Sequence, residues 1–178
     1  MGFGEAAGNF KSSSKYDLGV GYSVGGFSAA LTWDRQNGAG TSTTPADTTD
    51  YIQSIHAGAS YDFGALKLFA GYRNYKRAFT TAAASQRSDM YWAGASYDVT
   101  PAFTLYGAVY KQNIKDGTDA DPILFSVRGQ YALSKRTTAY LSAGYAKAKN
   151  GQNVSLSRDV AGYGNNQVGV TVGLQHRF

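Results

Sequence analysis

Alternate residues of the stretch from Asn166 to Phe178 suit two different solvents. Val168, Val170, Val172, Leu174, His176 and Phe178 fall on one side. Gln167, Gly169, Thr171, Gly173, Gln175 and Arg177 fall on the other. A period of two belongs to a β-strand, whose successive side chains point to opposite faces of a sheet. Either the apolar side packs into the core of a soluble sheet, or it faces lipid while the polar side faces a wet lumen. The rest of the chain decides.

The same alternation recurs throughout. Tyr16 to Val24 and Phe27 to Asp34 flank a Gly25-Gly26 turn and read as a hairpin, followed by a polar loop from Asn37 to Thr49. Tyr51 to Tyr61 and Leu66 to Tyr75 flank Asp62-Phe63-Gly64, with a loop from Lys76 to Arg87. Met90 to Val99 and Phe103 to Asn113 flank Thr100-Pro101, with a loop from Lys115 to Asp121. Ile123 to Ala132 and Thr137 to Ala146 flank Leu133 to Arg136, and the longest loop, Lys147 to Asn165, leads to the closing strand. The opening residues, to about Lys15, read as a Gly/Ser-rich loop after a frayed strand end at Gly2 to Glu5. The sum is nine strands in one domain covering residues 1–178, with short and long connections in turn. Ala-Gly-Ala-Ser-Tyr-Asp, at Ala57–Asp62 and again at Ala93–Asp98, ends a strand before a short turn both times.

Composition narrows the class. Twenty-two glycines accompany 14 tyrosines and 9 phenylalanines, as expected of strands with one smooth side. There is no cysteine, which excludes disulfides, thiolate metal sites and cysteine nucleophiles. The net charge of +5 is scattered, and without a run of more than two Lys/Arg it argues against nucleic-acid binding. No stretch suits a transmembrane helix, because Leu18 to Trp33 and Val160 to His176 are interrupted by Gly, Asn or Gln. Met1 to Glu5 lacks the basic start and apolar run of a signal peptide. If the protein is exported, the chain is expected to be a mature form, a fragment or a truncated reading frame.

Aromatic placement favours lipid. Tyr16, Tyr22, Phe27, Trp33, Tyr51, Tyr61, Tyr72, Tyr91, Tyr97, Phe103, Tyr131 and Tyr145 all have the apolar parity. They gather near strand ends, with Val, Leu, Ala and Gly between. Amphipathic rings suit the two headgroup layers of a membrane, whereas a soluble core gains most from large rings at its centre. The predicted fold is therefore all-β, an antiparallel up-and-down transmembrane β-barrel. Its other face would line water with Asp17, Asp34, His56, Lys67, Arg73, Arg128, Gln130 and Arg177. With little large and apolar on it except Phe69 and some tyrosines, that face predicts an open channel.

Three segments then resemble a known family. They are the closing strand Val168 to Phe178, the turn Tyr131-Ala-Leu-Ser-Lys-Arg-Thr137, and Gly2-Phe-Gly-Glu-Ala-Ala-Gly8. They look like Gram-negative general porins of the betaproteobacterial type, and the resemblance runs over essentially the whole chain. It implies a homotrimeric outer-membrane channel of about sixteen strands for ions and small hydrophilic solutes, surrounded by lipid and lipopolysaccharide. It also implies that Val170, Val172, Leu174 and Phe178 form the signal read by the barrel assembly machinery. Counted from the C-terminus, the nine strands would be roughly the eighth to the sixteenth. The family's constriction loop, most of its arginine cluster and most trimer contacts belong to the other half.

Arg73 and Arg128, the inward cations nearest mid-strand, suggest a preference for anions. Asp116 to Asp121 superficially resembles a calcium loop but lacks its closing Glu. His56 shares one strand face with Ser54, Ser60 and Asp62, whereas a Ser–His–acid site needs convergent geometry. No enzyme, metal or cofactor is expected. The alternative is a non-conducting barrel with an adhesive or structural role through Asn37–Thr49 and Lys147–Asn165.

Overall fold

The computed structural model describes residues 2, 13–38, 50–79, 85–116, 119–156 and 164–178. Nine strands follow one another: β1 (Lys15–Val24), β2 (Phe27–Asn37), β3 (Tyr51–Asp62), β4 (Leu66–Ala78), β5 (Gln86–Thr100), β6 (Phe103–Ile114), β7 (Ile123–Ala132), β8 (Thr137–Lys147) and β9 (Asn166–His176). They make one antiparallel sheet in which every strand pairs with its neighbours in sequence. This is the up-and-down order that the alternating loop lengths predict. The sheet does not close on itself: β1 and β9 are its two edges. On the free side of β1, Gly2 exchanges two backbone hydrogen bonds with Lys15, of 2.9 and 2.8 Å. The rest of the predicted opening strand and of the Gly2-to-Gly8 motif, and most of the loop from Asn37 to Thr49, lie outside the described residues.

Short turns are fixed by local chemistry. Gly25 takes a positive φ of 54°, which glycine adopts without steric cost. A Cβ at Gly26 would lie 2.3 Å from the Asp62 carbonyl oxygen, whose residue donates its own N–H to Gly26 O at 2.8 Å. At the next turn Asp62 Oδ1 accepts the Gly64 N–H at 2.8 Å. Ser134 Oγ accepts from the amides of Arg136 and Thr137, the side-chain-to-backbone pattern typical of tight turns.

The strands run further into the long loops than the alternation indicates. Lys76, Arg77, Gln86 and Arg87, expected in a loop, are paired: Lys76 with Arg87 and Arg77 with Gln86. Both faces are polar there, so the hydrophobic signal stops while the backbone ladder continues. Likewise β2 runs on to Asn37.

The apolar face is not a core. Among the described residues only Ala146 and Ala148 are buried hydrophobics, while Leu18, Val172 and Leu174 are 72%, 79% and 71% exposed. A soluble protein does not leave such a continuous apolar surface in water. Register carries this face across all nine strands, for example Val24, Phe27, Tyr61, Leu68, Ala95, Gly107, Val127, Ala143 and Val170. All twelve aromatics singled out from the sequence stand on it. Tyr72 meets Tyr91 at 5.1 Å and Phe103 meets Tyr131 at 6.5 Å between ring centroids. Within the strands, its charged residues (Arg35, Lys76, Arg87, Asp89, Lys111 and Lys147) all sit at the long-loop ends. Between them and the short turns the face carries no charge. A recess of about 560 Å³ lies on this side over Ala29, Ala57, Ala59 and Ala70, where small side chains leave room.

Candidate functional site

Chemistry gathers on the opposite face. Asp17 pairs in register with Asp34, His56 with Arg73, and Lys67 with Asp62 and Ser96. Further along, Arg128 stands between Tyr106 and Ser142, and Gln130 between Thr104 and Tyr140. Arg177 is one residue past the end of β9, its amide donating to Arg136 O at 2.9 Å. The structure thus sets the eight residues expected on the water-facing side on one face or in line with it. It does not draw them into one cluster. Asp17 and Asp34 belong to β1 and β2, and Arg73 and Arg128 to β4 and β7.

The acidic side carries a histidine as well. His56 Nε2 lies 3.6 Å from Asp34 Oδ1, both side chains about two-fifths exposed (40% and 42%). They line a recess of about 450 Å³ with Asp17 and Thr32. That contact gives His56 a carboxylate neighbour from the next strand, and no described serine is hydrogen-bonded to it.

The arginines are different. Arg128 stacks its guanidinium 4.1 Å from the centre of the Tyr140 ring, and Arg73 lies 5.5 Å from that of Tyr75. A third arginine, Arg77, stacks 4.1 Å from Phe79. None of the three forms an ion pair among the described residues, and the Nε–H of each is out of solvent without a partner. A ring under the guanidinium plane holds it by cation–π attraction without neutralising its charge. Sequence reading missed Arg77 because it was assigned to a loop. The signal was there, since Arg73 and Arg77 share parity on β4.

Larger rings also stand on this face than the sequence suggests. Trp92 covers Gly71, where a Cβ would come within 2.2 Å of the indole, and Phe69 covers Gly94 at 2.5 Å. Tyr140 covers Gly173 in the same way, again at 2.5 Å. Each ring lies over the glycine directly opposite on the next strand, a packing that compensates for the missing side chain. Phe69 and tyrosines were expected on this face; Trp92 is the large ring that the expectation left out.

The loop between β8 and β9 contributes from the same side. Leu156 reaches over Gly144 and Gly169, both on the polar face, and its amide donates to Gln167 Oε1 at 2.5 Å. Val154 N–H bonds to Gly164 O at 2.9 Å. Val154 and Leu156, with Met90, Tyr110, Leu124 and Ala146, line an apolar recess of about 270 Å³. The described part of this loop therefore lies against the sheet's polar face. Residues 157–163 of the loop lie outside the described residues.

At the long-loop end three ion pairs tie segments together, one of them between Lys115 Nζ and Asp89 Oδ2 at 3.4 Å. Arg87 clamps Asp116 through Nε and Nη2, each at 2.9 Å, which holds the Asp116 carboxyl below its ordinary value. Asp121 accepts the Ile114 amide at 3.0 Å and the Lys149 ammonium at 3.2 Å, and its pKa is likewise lowered, chiefly by the amide. Both outer acids of the calcium-like segment are thus taken by cations.

An antiparallel meander with an uncharged, ring-bordered apolar face and a charged opposite face defines an outer-membrane β-barrel wall. The chain belongs to the Gram-negative porin family, whose model matches residues 2–151, and its place is the cell outer membrane. Its structure is similar to the anion-selective porin from Comamonas acidovorans, with a TM-score of 0.78 and 25% identity over 92% of this chain and 49% of that one. It also resembles OmpT, an outer membrane protein of Vibrio cholerae, in its in-vitro folded form (TM-score 0.67, 16% identity, 90% of this chain and 54% of that one). The outer-membrane expressed OmpT gives a TM-score of 0.68 at 16% identity, over 92% and 56% of the two chains. The chain spans about half the length of these solved structures. No curated protein sequence matches it.

Proposed function

We propose that this chain forms part of the wall of a water-filled channel through which ions and small hydrophilic solutes diffuse passively, anions in preference to cations. The observation that carries the reading is the set of inner-face arginines, Arg73, Arg77 and Arg128, held by aromatic rings and without an acid partner among the described residues. Asp17, Asp34, Lys67, Gln130 and Arg177 complete the lining. Unpaired fixed cations in a narrow passage raise the local anion concentration, because low-dielectric walls focus their field. The anion-selective name of the Comamonas porin agrees with this sign. The role is transport, not catalysis.

The surroundings follow from the other face. The twelve outward aromatics act as girdles in the two headgroup layers, against lipid and lipopolysaccharide. Val170, Val172, Leu174 and the fully exposed Phe178 serve as the signal for the barrel assembly machinery. Unpaired strand edges are not viable in hydrocarbon, so further strands join β1 to β9, and the finished barrel assembles as a homotrimer.

The test uses the complete gene expressed in a porin-deficient Gram-negative host. The purified protein is inserted into a planar bilayer across a potassium chloride gradient. The zero-current potential is expected to make the dilute side negative, as chloride leads. A dilute side that turns positive overturns the anion preference. Insertion without conductance overturns the channel itself and favours the adhesive or structural alternative.

A further inference from the structure

We propose that the recess bounded by Phe69, Tyr106, Tyr110 and Arg128 is a binding subsite for small anions that carry one flat apolar ring. This rests on the channel reading above. The recess measures about 350 Å³ and is completed by Ala108, Ser126 and Gln130. Register places all these side chains on the polar face of β4, β6 and β7. The volume is at the low end of what small-ligand pockets offer, enough for a single ring with a charged substituent.

The chemistry of the walls is what selects the ligand. Arg128 supplies one positive charge, fixed by its stack on Tyr140 and without a carboxylate partner among the described residues. With its Nε–H out of solvent, the half-buried Arg128 would meet a ligand through its Nη groups, and carboxylate or sulfonate oxygens are the acceptors that a guanidinium fits. Ser126 and Gln130 offer further polar contacts beside it.

Opposite that charge the walls are rings. Phe69 is accounted for in part by Gly94, which it covers. Tyr106 is not. It stands in register between Ser96 and Arg128, covers no glycine, and is 37% exposed on a face given over to polar and small residues. Rings left open toward water are suited to stack on another ring, in an offset or edge-on arrangement. A fixed cation beside open rings selects an anion with an aromatic body over a bare anion or a neutral ring.

The probes are benzoate, acetate and benzyl alcohol, applied to the protein from the complete gene while chloride current is recorded in a planar bilayer. Benzoate is expected to reduce the current saturably, and acetate and benzyl alcohol at equal concentration are not. Tyr106→Leu and Phe69→Ala should each raise the benzoate concentration for half-block roughly five- to tenfold, the effect of one lost ring contact. Tyr106→Phe should restore the block relative to Tyr106→Leu, because the ring and not the hydroxyl makes the contact. Should Phe69→Ala fail to assemble for want of its cover on Gly94, the Tyr106 pair decides alone. Equal block by acetate and benzoate, or block unchanged in Tyr106→Leu, overturns the subsite while leaving the channel standing. A protein that inserts and passes no chloride current overturns both.

Discussion

Placing an arginine at position 127 probes the two-faced wall most sharply. Val127 lies midway along β7 on the apolar face and is 59% exposed. Its register partners are Gly107 on β6 and Ala143 on β8, so a long side chain meets no steric obstacle there. Nor does it meet an acid, since the only outward acid on the strands is Asp89 at the long-loop end of β5. The cost of Val127→Arg is then that of a charge in hydrocarbon, about 2–4 kcal/mol at the bilayer midplane. That is roughly a 30- to 1,000-fold shift in the folding equilibrium. Ser126→Arg, one residue away, points between Ala108 and Gly144 on the other face. In a hydrated lumen it should cost about 0.5 kcal/mol or less. Denaturant titrations of each variant, folded into lipid vesicles from the complete gene product, measure the difference. Equal losses, or a larger loss for Ser126→Arg, refute the face assignment.

Three further outcomes follow from local contacts. Gly71→Val should displace Trp92, whose ring lies 2.2 Å from the added Cβ, and destabilise the barrel by about 1–3 kcal/mol in the same titration. Leu156→Asp should detach the β8–β9 loop from Gly144 and Gly169 and raise single-channel conductance, whereas an unchanged conductance would mean that the loop does not narrow the passage. For pH, the Asp116 and Asp121 carboxyls both titrate below their ordinary 3.8. Their ties to Arg87, Ile114 and Lys149 are therefore fully present above 3.8 and weaken as pH falls through the lowered values. Hydrogen exchange at the Ile114 amide, corrected for its intrinsic pH dependence, should show constant protection from pH 7 to 5 and lose it only below 3.8.

Much of this was legible in the sequence because one periodicity carries both fold and face. Alternation alone located the nine strands and put Arg73, Arg128 and Asp34 opposite the valines. It failed where both faces are polar, at Lys76 to Ala78 and Gln86 to Asp89, and Arg77 was lost there. Cross-strand register is not visible along one strand, so the Asp34–His56 contact and the pairing of Trp92 with Gly71 had to come from the structure. Leu156 illustrates a third limit. Nothing periodic marks it, and its position depends on a hydrogen bond to Gln167 and on two glycines from different strands.

These 178 residues contain no cysteine, so a direct test of the central claim needs only that any cysteine elsewhere in the complete gene product be replaced by serine. Single cysteines are placed along β7 at Phe125, Ser126, Val127, Arg128, Gly129 and Gln130, and each protein is exposed in a bilayer to a charged, water-soluble thiol reagent. The account predicts labelling with a stepwise fall in conductance at Ser126, Arg128 and Gln130, and neither at Phe125, Val127 and Gly129. Labelling without alternation, or alternation in the opposite phase, would contradict it.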